Sequence, residues 1–194
     1  MKTWIIIMAI IIGGCTRIAP GGKDQIVKII DFELSPDEDK IAFAAITPIG
    51  NSDIWVVDID GTNLKKLTFK DRSPSNHVAR FFKKRKWRNF YEVDIHSPLW
   101  TSDGRIAFAE ETTRHHATGI NIAGLTQRTI KPDGSDKRKK TDKDEIVRRE
   151  PLSPIRSFEI SDYSEKHRKK FFLKDDILWV LDLNETTPKK LVQN

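Results

Sequence analysis

The sequence predicts an all-β chain made of short antiparallel sheets that recur about three times. The apolar runs are brief and rich in strand-forming residues, as in Ile41-Ala42-Phe43-Ala44 and Ile54-Trp55-Val56-Val57. Tight-turn dipeptides separate such runs: Asp60-Gly61, Asp103-Gly104 and Asp133-Gly134. Blocks of sequence also return. Asp53-Ile54-Trp55-Val56-Val57-Asp58 is echoed by Asp176-Ile177-Leu178-Trp179-Val180-Leu181-Asp182.

The first unit begins at Asp31. Ser35-Pro36-Asp37 reads as a turn, because proline presets the backbone and aspartate bonds its own backbone. Ile41 to Ala44 follows as a buried strand and Asp53 to Asp58 as a second. Asp60-Gly61 then turns the chain into a return strand, Leu64 to Thr68. In the second unit Ser102-Asp103-Gly104 takes the place of Ser35-Pro36-Asp37, and Ile106-Ala107-Phe108-Ala109 that of Ile41 to Ala44. Gln127 to Ile130, Asp133-Gly134 and Lys139-Lys140-Thr141 complete it. The third unit takes Ile155 to Tyr163, Lys170 to Leu173, Asp176 to Leu183 and Lys189-Lys190-Leu191-Val192. Between the first two units, Arg80 to Lys83 and Asn89 to Val93 are expected as strands about a basic turn.

The start of the chain is of another kind. Lys2 precedes an unbroken apolar run, Ile5 to Ile12, followed by Gly13, Gly14 and Cys15. This is the layout of a secretory signal over residues 1–14. The run is shorter than the roughly 20 residues a spanning helix needs. Ile12-Gly13-Gly14-Cys15 resembles a bacterial lipobox. The resemblance implies lipid transfer to Cys15, cleavage after Gly14 and acylation (palmitate or a like chain) of the new amino group. Two or more chains give stable anchoring where one gives only marginal binding. Thr16 in place of aspartate implies, in a Gram-negative envelope, the periplasmic face of the outer membrane. Residues 15–30, with Pro20-Gly21-Gly22, read as the lipidated cysteine and a flexible tether. The chain has 1 cysteine, so an intramolecular disulfide is excluded and the exported domain must rely on its core.

The repeated units resemble the TolB-type, WD-like β-propeller repeat: Ser-Pro-Asp-Gly, Ile-Ala-Phe, an Asp-Ile-Trp-Val strand, Asp-Gly and Leu-Thr. The likeness runs from about Asp31 to Leu191 and is best in the first unit. It implies that residues 31–194 form an incomplete or small β-propeller-like array of about three to four antiparallel blades. Blades of about 40 to 45 residues are usual, and the long step between the first two units strains the pattern. Closed propellers carry about four to eight blades. The array is therefore expected to be open, to belong to a longer ancestral protein, or to close by association, because exposed sheet edges invite pairing.

The net charge of +6 is concentrated in runs. Lys83-Lys84-Arg85-Lys86-Trp87-Arg88 is the densest and is the candidate contact for an anionic envelope polymer or lipid headgroup. Trp87 is its candidate sugar-stacking residue. Export argues against nucleic acid. The Gly-x-Ser-x-Gly elbow of hydrolases that carry such propellers is absent from the sequence. Glu110-Glu111 and His115-His116 bring metal-ligand types together, but adjacent residues of a strand face opposite ways. Asp58 to Asn63 has its glycine too early for a calcium loop and reads as a hairpin. Trp55, Trp100 and Trp179 are expected to pack in or between sheets. No catalytic residue, metal or cofactor is assigned. The expectation is a membrane-anchored envelope lipoprotein that binds a protein partner or its own copies without catalysis. The rival is binding or hydrolysis of an anionic envelope polymer.

Overall fold

The computed structural model describes residues 25–47, 52–69, 90–116, 119–147 and 160–192. Its strands form three four-stranded sheets in which chain neighbours pair antiparallel. The first holds β1 (Lys28–Leu34), β2 (Lys40–Ile46), β3 (Ser52–Asp58) and β4 (Lys65–Lys66). The second holds β5 (Phe90–Trp100), β6 (Ile106–His116), β7 (Gly119–Ile130) and β8 (Arg138–Lys139). The third holds β9 (Ser161–Ser164), β10 (Lys169–Lys174), β11 (Ile177–Asp182) and β12 (Lys189–Lys190). No helix occurs among the described residues.

The first sheet is the middle layer. Side chains alternate across a strand, so β2 and β3 divide their apolar residues between two faces. Phe32, Ile41, Phe43, Trp55 and Val57 meet Phe171, Leu178, Leu191 and Val192 of the third sheet. Ala42, Ala44, Ile54 and Val56 meet Ile95, Trp100, Ile106, Phe108 and Ile130 of the second. Burial on both faces explains why these two strands are continuously apolar rather than alternating. Phe43, at 0% exposure and stacked on Trp55 with ring centroids 6.3 Å apart, contributes about 2–3 kcal/mol by burial alone. The core also reaches ahead of Asp31. Ile26 and Ile29 are buried in it, so the folded part takes in the last residues read as tether.

The order in space is third, first, second, although the chain runs first, second, third. The two interfaces are equivalent. Register pairs Trp55 with Lys66, Arg128 with Lys139 and Trp179 with Lys190, which sets these positions level in the three sheets. On that scale Ile29 matches Ile95, and Asp176 matches Ser52. The Ile29 amide donates to the Asp176 carbonyl at 2.9 Å, and the Ile95 amide donates to Ser52 Oγ at 3.1 Å. Leu67 and Leu191 are also matched, each donating its amide across its own sheet, to Ile54 and Leu178. Leu191 lies against Gly61 and Leu67 against Gly134, and both glycines sit in the turn that follows a third strand. Third-on-first and first-on-second are thus one packing step used twice. The array is open, with the second and third sheets on opposite faces of the first.

Several sequence expectations shift. Thr101, not Ser102, stands where Ser35 stands. Each hydroxyl accepts the amide that closes its turn, from Lys40 and from Arg105, and donates to the aspartate two residues on. Ser164 repeats the acceptor role towards the His167 amide. The expected return strand Leu64 to Thr68 pairs as a ladder only at Lys65–Lys66, and Leu67 and Thr68 hold on through Ile54. The expected strand from Asn89 begins at Phe90 and runs on to Trp100. Arg80 to Lys83 and Ile155 to Glu159 lie outside the described residues.

Gly61 has φ +87°, and a Cβ there would stand 2.7 Å from the Leu191 carbonyl oxygen. Gly104 has φ +73° with open space about it. Gly104→Ala should therefore cost only the left-handed backbone penalty, about 1–2 kcal/mol. Gly61→Ala should cost more, about 2–4 kcal/mol, since packing strain adds to that penalty. Chemical denaturation of the two variants checks the order. Equal losses would show that Leu191 does not press on the turn.

Candidate interaction surface

In an up-and-down sheet the first and third turns emerge at one end. Here that end gathers the turns after β1, β5 and β9 with those after β3, β7 and β11. The turns after β3 and β7 are built alike. Asp60 Oδ1 accepts the Thr62 amide at 2.8 Å, and Asp133 Oδ1 accepts the Ser135 amide at 2.7 Å. Asn63 and Asp136 both have φ 53°, a conformation their short polar side chains tolerate. The Asp58 to Asn63 segment is therefore a hairpin turn, and its carboxylates are engaged. Asp58 accepts from Asn63 Nδ2 and Lys40 Nζ, and Asp60 from Thr62.

These turns also clasp one another across sheets. Ser164 Oγ and the Lys166 amide donate to Glu38 Oε2 at 2.7 and 2.9 Å. Lys166 Nζ donates to Asp39 Oδ1 at 2.7 Å, and His167 Nε2 lies 3.0 Å from the same oxygen. These bonds, Lys166 first and His167 next, hold the Asp39 carboxyl below its ordinary range. Lys65 Nζ reaches the Asp133 carbonyl at 2.6 Å. A groove of about 500 Å³ opens between the first and second sheets, lined among others by Lys40, Asp103, Arg105, Lys131 and Asp133. Its guanidinium is committed, since Arg105 binds Asp136 and Thr129. The described turns at this end form a mixed-charge, hydrogen-bonded rim.

The segment after β8 is pinned separately. Asp144, 1% exposed, accepts from Arg138 Nη1 at 2.7 Å, from the Thr141 amide at 2.7 Å and from Thr141 Oγ1 at 2.9 Å. The Arg138 hydrogen bond, ahead of the Thr141 bonds, drives its pKa well below the ordinary carboxylate value. Asp31 goes the other way, because desolvation between the first two sheets outweighs the amide bond from Phe32.

Cys15, Ile12, Gly13 and Gly14 lie outside the described residues, as do Lys83, Lys84, Arg85, Lys86, Trp87 and Arg88. His115 and His116 lie in β6. Among the described residues no group of three His, Cys, Asp or Glu converges as a metal set, and no helix is long and apolar enough to cross a membrane. Trp55 and Trp100 are buried in the core, and Trp100 Nε1 donates to the Glu33 carbonyl at 3.1 Å across the sheets. Trp179 departs from its expected place between sheets. It stands partly exposed on the outer face of the third sheet, with Lys190 Nζ 5.7 Å from its ring centre. Sequence reasoning missed that face. The signal was available in β10, where Lys170 and Lys174 occupy the places of Ile41 and Ala45. No protein-family model matches this chain, and no curated protein matches it.

At neutral pH Asp144→Asn should lower the melting temperature, whereas Asp31→Asn should leave it unchanged or raise it. Asp144 has a depressed native pKa. Its contribution is complete above the unfolded value near 3.9 and is lost as pH falls through the native value. Asp31 has a raised native pKa, so its charge opposes folding once pH exceeds the unfolded value. Thermal melts at pH 7 and pH 3 check both signs. Like responses of the two variants would refute the assignment.

Proposed function

We propose that this protein is a lipid-anchored cell-envelope protein whose sheets form an open array of the β-propeller type and bind a protein partner without catalysis. The observation that carries this reading is the doubly used packing step, third on first and first on second. Successive propeller blades stack by such a repeated step. The last sheet of the chain also lies against the first, which is the relation that a ring of blades creates. The turn end, with Lys131, Asp133, Asp39 and Lys166 on its rim, is the binding surface in this reading. The anchor is Cys15, on the strength of Ile12-Gly13-Gly14-Cys15. Its envelope layer is the outer membrane's periplasmic face where the cell is Gram-negative.

Full-length protein in its own cell should incorporate labelled palmitate and fractionate with membranes, and Cys15→Ala should lose both properties. Persistent labelling in that variant would refute the anchor. A pull-down from detergent-solubilised envelope should recover a specific protein with the native chain and not with Lys131→Glu/Asp133→Lys. Recovery of nothing above control would refute protein binding.

A second reading rests on Lys83 to Arg88, a dense basic run suited to an anionic polymer. Retention on an anionic glycan column should then fall at least about tenfold in Lys84→Glu/Arg85→Glu. Unchanged retention would remove the run from that role.

A further inference from the structure

The packing step that joins the sheets has one donor face and one acceptor face, and both are left over at the ends of the array. The acceptor face of the first sheet presents Phe43 and Trp55 to the third sheet. At matched positions the third sheet carries Phe172 and Trp179, with Leu181 beside them, on the side turned away from the first sheet. There Phe172 is 9% exposed, and Leu183 just beyond is 47% exposed. The donor face of the first sheet presents Ala42, Ala44, Ile54 and Val56 to the second. The second sheet carries Ala107, Ala109, Gln127 and Thr129 at the matched positions, on the side away from the first sheet, and of these Ala107 and Thr129 are already buried within the chain. Arg105 lies across Thr129, so the open part of this face is Ala109, Glu111, Leu125 and Gln127, with Leu125 at 62% exposure.

The charges on the two faces complement each other. Lys170 and Lys190 stand over Phe172 and Trp179 at 5.6 and 5.7 Å, and Lys174 shares their face. Asp94 and Glu111 pair opposite each other on the outer side of the second sheet, away from the inward-facing Ile95. A lysine-bearing aromatic face and an acid-bearing face around Ala109 and Leu125 are thus of opposite charge.

We propose that the outer face of the third sheet receives the open part of the outer face of the second sheet from another copy of this chain, so that copies join head to tail. The inference rests on the stacked-blade reading above and names a partner for it. A head-to-tail contact closes into a ring where the rotation permits and otherwise propagates. Here the surfaces used are different on the two copies, which sets this assembly apart from a two-fold dimer. Stacking would cover the partly exposed Trp179 and Leu181 and the exposed Leu183.

The test uses the full chain in mild detergent, with mass read by sedimentation. The native protein should be an assembly of two or more copies. Lys170→Glu/Lys174→Glu and Asp94→Lys/Glu111→Lys should each place like charges at the contact and weaken association at least about tenfold. An equimolar mixture of the two should recover the assembly, because every contact then pairs opposite charges. Trp179→Ala should weaken association without a charge change. A monomeric native protein would overturn the proposal. So would variants that assemble as the native chain does, failure of the mixture to recover, or an assembly formed only with a different envelope protein. Hydrogen exchange at the Ile29 amide, bonded to Asp176 within one copy, separates this failure from that of the stacking itself. Protection in a monomer overturns only the association, and free exchange overturns the stacked array beneath it.

Discussion

Phe43 and Ala44 are neighbours in β2, and each is fully buried against a different sheet. The rest of the structure depends on that two-sided burial. A sheet with one apolar face needs one cover, but the first sheet needs two and finds both in its own chain. The third sheet must therefore come back past the second to reach the far face. This requirement fixes the spatial order and leaves the outer faces of the second and third sheets as the ends of the array. Outer sheets have less to bury, and their composition follows. On the outer face of β10 Phe172 stands between Lys170 and Lys174, and β7 carries Gln127 and an exposed Leu125.

Polar groups serve the same architecture in a small number of repeated places. Ser35, Thr101 and Ser164 are all buried hydroxyls at the end of a first strand; the first two accept the amide that closes their turn, and Ser164 accepts the His167 amide within its own. Thr68 does the corresponding work at the fourth strand of the first sheet, accepting from Ile54 and donating to the buried Asp53. Buried hydroxyls that are satisfied in this way set the turn geometry at little cost, where an unpaired one would cost about 1–3 kcal/mol. The charged side chains on the rim, by contrast, are exposed and join the sheets in pairs. Such surface pairs add specificity more than stability.

Much of the fold was legible in the sequence. Ile41 to Ala44 and Ile54 to Val57 are apolar without interruption, as strands buried on both faces are. Asp60-Gly61 and Asp133-Gly134 mark turns whose positive φ values need glycine. The echo between Trp55 and Trp179 located the third sheet. What the sequence did not reveal was adjacency. Nothing local in Phe171 or Leu178 says that they cover Phe43 rather than the second sheet, because an apolar side chain has no address. The one-residue shift from Ser102 to Thr101 was hidden for a related reason, since serine and threonine hydroxyls serve a turn equally well. The interaction surface was less legible still. Its rim comes from six turns whose charged residues look, one at a time, like ordinary solvated loops.

The placement of the third sheet also bears on how the molecule is made. A chain synthesised from its N-terminus completes β1 to β4 long before Phe171, Leu178 and Leu191 exist. Until then Phe32, Phe43 and Trp55 form an apolar face with no cover from their own chain. Contacts between Ile29 and Asp176, or Glu38 and Ser164, join the two ends of the folded part, and such distant contacts form slowly. The nascent protein therefore passes through a stage with its central sheet half clothed, when aggregation competes with folding. The third sheet acts as a latch, and a chain broken before Lys169 would lack the residues that cover Phe43 and Trp55.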